Sequence, residues 1–379
     1  MQILLFDLDG VLIEPRAYHQ ALQETVALVG RSLGYREVAL GQNDIQVIES
    51  VGVSSEWDSA AICAALLLRQ AWTVSQGARL PTEPPLPAPP PHELAAPDFR
   101  KFFESMGGMS GSGLKPLLIA ERQLLSDGTP LRAAQTAQLR NSLRSARQAE
   151  HSLTHRIFQE LVLGSELFRE TYNLHPHLDR TGYLVSQDRS LLSTNARQGL
   201  RRWLQRPGQH AAVFTKRPSG GPRHSEYAPE AELGLKVIDL EQLAVVGSGG
   251  MAWLAASRGE DPDAYLKPSA VHALAALRLA LGSSLETALL AAAALERDGR
   301  ADAGWRELAS ATIYVYEDSV EGLLSARSAQ SAMQRAGIAT EVGSFGVAAS
   351  PLKRAALQSI TDEVFPSLEH ALRHRDILA

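Results

Sequence analysis

The chain has 379 residues, enough for two domains with well-filled cores. It is 45% hydrophobic and 21% charged, with a net charge of −5, which speaks against wholesale binding to nucleic acid or to an anionic membrane. A single cysteine, Cys63, excludes an internal disulfide, and its apolar setting (AAICAALLL) predicts a buried thiol rather than a reactive one.

Met1 to Phe6 (MQILLF) is a short apolar run, the pattern of a strand covered on both faces. It stops at Asp7-Leu8-Asp9-Gly10, which brings two carboxylates to the carboxyl end of a strand, where open α/β sheets bind ligands. Two like charges that close are costly unless a cation lies between them or one takes a proton. The plain alternative is a strand followed by an acidic turn. The apolar run meets Asp7 too soon for a signal peptide, and no uninterrupted apolar stretch is long enough to span a bilayer. A soluble, cytoplasmic protein is expected.

Residues 16–33 carry Ala17, Leu22, Val26 and Val29 near helical spacing, Asn43 or Asp44 could cap the next helix, and Trp57 to Trp72 reads as another, strongly apolar one. Residues 79–98 (RLPTEPPLPAPPPHELAAPD) hold too much proline for a helix interior or central strand, so an extended or disordered spacer is expected. A glycine–serine loop follows at 104–116, read as a hinge or a loop that closes on substrate; it lacks the Gly-Lys-Ser/Thr of a phosphate loop. From Pro130 to about Gly164 the pattern is one long helix or two in line, on which His151 and His155 stand four apart and could share a metal.

A sheet-like register begins at Ala211–Phe214 (AAVF) and ends in Thr215-Lys216-Arg217-Pro218. Further short runs are Leu243–Val246, before Gly247-Ser248-Gly249-Gly250, and Thr312–Tyr316, before Glu317-Asp318-Ser319. Helical patterns separate them, one opened by Pro268 at an expected first helical position and another at residues 320–336 ending on Gly337. Strands alternating with helices predict a parallel sheet with right-handed crossovers. About two hundred mostly helical residues separate the first strand from its partners, too many for an ordinary crossover. Residues 14–205 are therefore expected to be an inserted helical domain containing the 79–98 spacer, and 1–13 with 206–379 the core.

Because the carboxyl ends of parallel strands share one edge, Asp7, Asp9, Thr215, Lys267, Glu317 and Asp318 are expected to meet. Carboxylates with a lysine and a hydroxyl suit a hard divalent cation and a phosphoryl group. A carboxylate can attack phosphorus, and a second acid can protonate the leaving oxygen and then activate water. Lys216 and Arg217, just past a strand, would either steer an anionic substrate or be solvated.

With FDLDGVL at 6–12, VFTKRP at 213–218, LKPSAVHAL at 266–274 and YVYEDSVEGLLSA at 314–326, the chain resembles the haloacid dehalogenase-like (HAD) hydrolases, in their phosphatase and phosphomutase branch. The stretch LGSELFRETYNLHP is similar to the cap-to-core return of phosphoglycolate phosphatase-like members. The resemblance implies an α/β fold, a doubly wound Rossmann-like parallel sheet with an inserted, mainly α-helical cap. It further implies Asp7 as nucleophile and Mg2+ ligand, Asp9 as general acid/base with its backbone carbonyl on the metal, and Thr215 and Lys267 at the substrate phosphate, where Lys216 is also expected from its place after the strand. Asp318 with Glu317 would anchor the Mg2+. An acid at position 9 implies phosphoryl chemistry rather than dehalogenation. The expected activity is a Mg2+-dependent phosphatase of a small phosphorylated metabolite; a phosphomutase using the same residues, and a non-catalytic binding or regulatory protein on the same fold, are the alternatives.

Overall fold

The protein is described by a computed structural model covering all residues except 54, 91, 92, 108–113, 129, 223–226 and 379, together with the side chain at 352. Residues 108–113 of the glycine–serine loop thus lie outside the described residues. Contacts divide the chain into two units, Met1–Pro15 with Asp188–Ala379, and Arg16–Gln187.

The first unit is an α/β layer structure. Its strands are β1 (Gln2–Phe6), β2 (Ile13–Glu14), β3 (Arg189–Ser190), β4 (Gln209–Phe214), β5 (Ala244–Val246), β6 (Thr312–Glu317), β7 (Glu341–Val347) and β8 (Val364–Phe365). Six of them form one sheet in the order β5-β4-β1-β6-β7-β8, every pair parallel, while β2 and β3 make a small antiparallel ribbon. From β1 the chain runs outward through β4 and β5, then returns to β6 on the other side and continues to β7 and β8. The reversal beside β1 is the topological switch point of a doubly wound sheet, where the loops diverge and leave a crevice.

Strand periodicity explains why residues 3–6 (ILLF) are apolar at every position. Ile3 and Leu5 point to one face with Ala212, Phe214, Val246, Ile313 and Val315, packed on Leu254, Leu274, Leu289 and Met333 from the helices of that layer. Leu4 and Phe6 point to the other with Val213, Tyr316 and Phe345, packed on Leu200, Trp203, Leu235 and Leu372. Both faces are covered from Ile3 to Phe6, and the one polar side chain of β1, Gln2, is at its less buried start.

Trp203, Leu200 and Ala196 lie on one side of the helix Thr194–Leu204, within that second layer. The helix therefore belongs to the first unit, and the chain returns from the insert at Asp188, not near 205 as expected. The helix after Lys267 is also shifted. It spans Ala270–Ala280 with Ser269 as its N-cap, so Pro268 precedes the helix instead of opening it, and the Lys267–Pro268 bond is cis.

The second unit is mainly helical, with Arg16–Ser32, Glu56–Val74 and Leu153–Leu163 packed together at its centre. Cys63 is buried there, as its neighbours predicted. The described part of the proline-rich spacer forms no helix or strand but is fastened: Leu94 N donates to Gly34 O at 2.8 Å, Arg36 N to Leu94 O at 3.4 Å, and Arg156 pairs with Glu83 at 2.7 Å. The 130–164 pattern is two helices, Ala133–Arg144 and Leu153–Leu163, separated by turns and restarted by the Ser152 cap. His151 lies before that cap and is exposed, whereas His155 is buried with its ring on Trp57 and Tyr172 and its Nδ1 3.2 Å from Ala146 O. They share no helix face, and the metal reading of this pair is withdrawn. Among the described residues no helix is long and apolar enough to cross a membrane.

Candidate active site

Three strand ends supply the site. Asp7 follows β1, Thr215 follows β4, and Glu317 closes β6 with Asp318 next to it. The register of β1 against β6 pairs Phe6 with Tyr316, which sets Asp7 level with Glu317. Ligand oxygens of Asp7, Glu317 and Asp318 lie within 4.8 Å of one another. Gly10, at φ +77°, is in the left-handed region that glycine tolerates, and a Cβ there would come 2.6 Å from the Asp318 carboxyl carbon. The Asp7-x-Asp9-Gly10 turn thus requires its glycine twice over, for backbone shape and for space.

Lys267 reaches this cluster from the loop before the Ala270–Ala280 helix. Its Nζ stands 2.9 Å from Asp7 Oδ1, 2.5 Å from Glu317 Oε1 and 4.0 Å from the centre of the Phe214 ring. Burial acts to lower the lysine pKa, but the two carboxylates outweigh it and hold the ammonium charged. His272 ties this loop to β5: Lys267 N donates to Nδ1 at 3.3 Å, and Nε2 lies 3.1 Å from Val246 O. A carbonyl only accepts and an amide only donates, so the ring is neutral with its proton on Nε2, and burial pushes its pKa down to about 3.

Glu317 is fully buried, and burial followed by the nearness of Asp7 raises its carboxyl well above the ordinary range. Asp318 is raised in the same way, by burial first and Asp7 next, against the opposing charge of Lys353, whose Nζ is 2.9 Å away. The cluster is short of positive charge even with two ammonium groups in place. An oxygen-only donor set in that condition fits a hard divalent cation, which Asp7, Glu317 and Asp318 could hold.

Asp9 and Thr215 flank the cluster. The Asp9 carboxylate is not among the converging ligand oxygens; it accepts from the guanidinium of Arg217, at 3.1 Å between Nε and Oδ2 with a second bond from Nη2 to Oδ1. Thr215 is buried, and its hydroxyl accepts from Arg217 N at 3.1 Å. Lys216 points elsewhere, into an ion pair with Glu321. Arg217 is neither a solvated group nor one that steers a substrate from the surface, since its side chain is fully buried between Asp9 and Asp188. Sequence reasoning missed Asp188, Lys353 and His272. Asp188 and Lys353 lie 29 and 35 residues from the charges they meet, and no local pattern announces such a pairing.

No family model matches the chain, and no curated protein sequence matches it. Among solved structures, a Northeast Structural Genomics Consortium target superposes with a TM-score of 0.58 at 15% identity, over 99% of this chain and 98% of that one. A phosphatase from Thermococcus thioreducens superposes with a TM-score of 0.42 at 15% identity, over 91% of this chain and 93% of that one. The first likeness shows the fold alone, and the second is too distant to add to it.

Proposed function

We propose that the chain is a magnesium-dependent phosphatase acting on a small phosphorylated metabolite through an aspartyl-phosphate on Asp7. The observation that supports this reading is the convergence of Asp7, Glu317 and Asp318 oxygens within 4.8 Å, bridged by Lys267, at the switch point of the sheet. Asp7, Glu317 and Asp318 would hold the ion, with the Asp9 backbone carbonyl, and the ion supplies charge neutralisation to the transferring phosphoryl group. An Asp7 oxygen attacks phosphorus, the bond to the leaving oxygen breaks, and that oxygen takes its proton from Asp9. Asp9 then receives a proton from the attacking water, phosphate leaves, and the Asp7 carboxylate is restored. Thr215 donates to a phosphoryl oxygen and Lys267 meets its charge. Lys216 would reach a phosphoryl group only by giving up Glu321, so Thr215 and Lys267 carry those contacts. In the same reading the helical insert serves as the cap that selects the substrate.

The test is phosphate release from a panel of phosphomonoesters with Mg2+. Asp7→Asn should lower turnover by about 10^3-fold or more, with the circular dichroism of the native fold retained. Undiminished turnover by the variant would sink the assignment, and an isomerised ester with little free phosphate would indicate mutase chemistry.

A further inference from the structure

Arg217 holds two carboxylates at once. Nε and Nη2 form a fork on Asp9, while Nη1 donates to Asp188 Oδ2 at 3.0 Å. The guanidinium and Asp188 are both fully buried, and Asp9 keeps a 27% exposed side chain. Among the described residues, the Asp9 carboxylate accepts hydrogen bonds from Arg217 alone. The guanidinium is closely seated on its Asp188 side, where a Cβ at Gly234 would come 2.9 Å from Nη1. Its backbone is pinned as well, Arg217 N on the Thr215 hydroxyl and Arg217 O accepting from Ser248 N at 3.1 Å.

A buried ion triad is a poor stabiliser compared with apolar packing of the same volume, so stability alone is a weak reason for it. Geometry is a better one. A planar guanidinium can fix a carboxylate in rotation as well as in position, which an ammonium cannot. We propose that Arg217 is a positioning residue for the Asp9 carboxylate, with Asp188 as the anchor that aims its guanidinium. The inference rests on reading Asp9 as the acid/base. Asp188 is also the residue at which the chain re-enters the first unit.

The test compares Arg217→Lys, which keeps the charge and loses the fork, on two esters. The parameter is kcat/KM, which reports the step in which the leaving oxygen departs. An alkyl phosphate needs a well-placed proton donor at that step and should lose about 10^2-fold or more, whereas 4-nitrophenyl phosphate, whose leaving group departs unaided, should lose less than about tenfold. Asp188→Asn should show the same split at smaller size. Equal losses on both esters would overturn the inference. A second arm needs no turnover: a crystal structure of the Arg217→Met, Asp188→Asn double variant, which leaves neither charge buried and alone. Asp9 should swing from its present rotamer, and an unmoved Asp9 would overturn the proposal. Absence of turnover by the wild type on every ester would remove the phosphatase reading, while this arm still decides whether Arg217 positions Asp9.

Discussion

Gly322 shows how closely the site is built at the level of single residues. It is the third residue of the helix Val320–Arg335, and a Cβ there would land on the Glu317 carboxylate. Its N–H is held by the Ser319 hydroxyl, the N-cap, which in turn donates to Glu317 Oε2 at 3.0 Å. Gly322→Ala should therefore cost about 2–4 kcal/mol, far from the few tenths gained by alanine in an open helix, because a buried carboxylate held by Lys267 has nowhere to retreat. Chemical denaturation would measure it, and a neutral or stabilising result would contradict the packing described here. At this scale the sequence showed which acids end the strands, since strand, acid and turn are contiguous. It did not show who partners them: Arg217 meets Asp9 across 208 positions, and only the assembled sheet makes them neighbours.

At the level of elements, the strands that carry the site were readable because each is a dense apolar run with β-branched or large side chains. β7 was not, and the reason is physical. Its sequence EVGSFGV contains two glycines, and a Cβ at Gly346 would press on Val364 and Leu357 at 3.1 and 3.2 Å, so the strand buys close packing with the loss of its own signal. β8 has only two residues, too short for any period. Between one long helix and two in line the structure has two, and because the break between Arg144 and Leu153 carries neither glycine nor proline, the sequence did not show where it falls. The proline-rich spacer illustrates the converse. Composition excludes helix and central strand there, but the attachment depends on Tyr35 and Leu94 bridging, with Gln138 Nε2 donating to Leu80 O at 2.7 Å. Leu94→Asp should bury an unpaired charge or expel the strap, costing about 2–4 kcal/mol and opening 79–98 to limited proteolysis. Cleavage there at the wild-type rate would show that the strap is not held through Leu94.

For the molecule as a whole, each unit carries one buried histidine whose protonation is linked to folding. His272 in the sheet unit and His155 in the helical unit are buried and neutral, with pKa values pushed by burial down to about 3 and about 4. In the unfolded chain each returns to about 6.5, so between the two values the unfolded state binds the extra proton. Stability is then fully present above about pH 6.5 and is lost as pH falls, by several kcal/mol per histidine at most across that window. In the sheet unit the raised carboxyls of Glu317 and Asp318 take up protons on folding over the same window and oppose His272, so the unmasked effect belongs to the helical unit. Thermal unfolding of the helical unit should weaken from about pH 6.5 downward and His155→Phe should flatten that dependence; an unchanged pH dependence in the variant would exclude this linkage. The fold class, a parallel α/β sheet with a large helical insert, was visible in the sequence, whereas the strand order and the insert's return point were not, the latter because Thr194–Leu204 is as helical as what precedes it.

The register of β1 has a consequence for biosynthesis. Its neighbours are β4 and β6, which the ribosome delivers about two hundred and three hundred residues later. At about 5–20 residues per second, β1 waits roughly 15–60 s before its second flank exists. During that interval LLF is a bare, sticky edge on a nascent polypeptide whose helical middle is already complete, and the final third of translation decides whether the molecule closes around it or is handed to a chaperone.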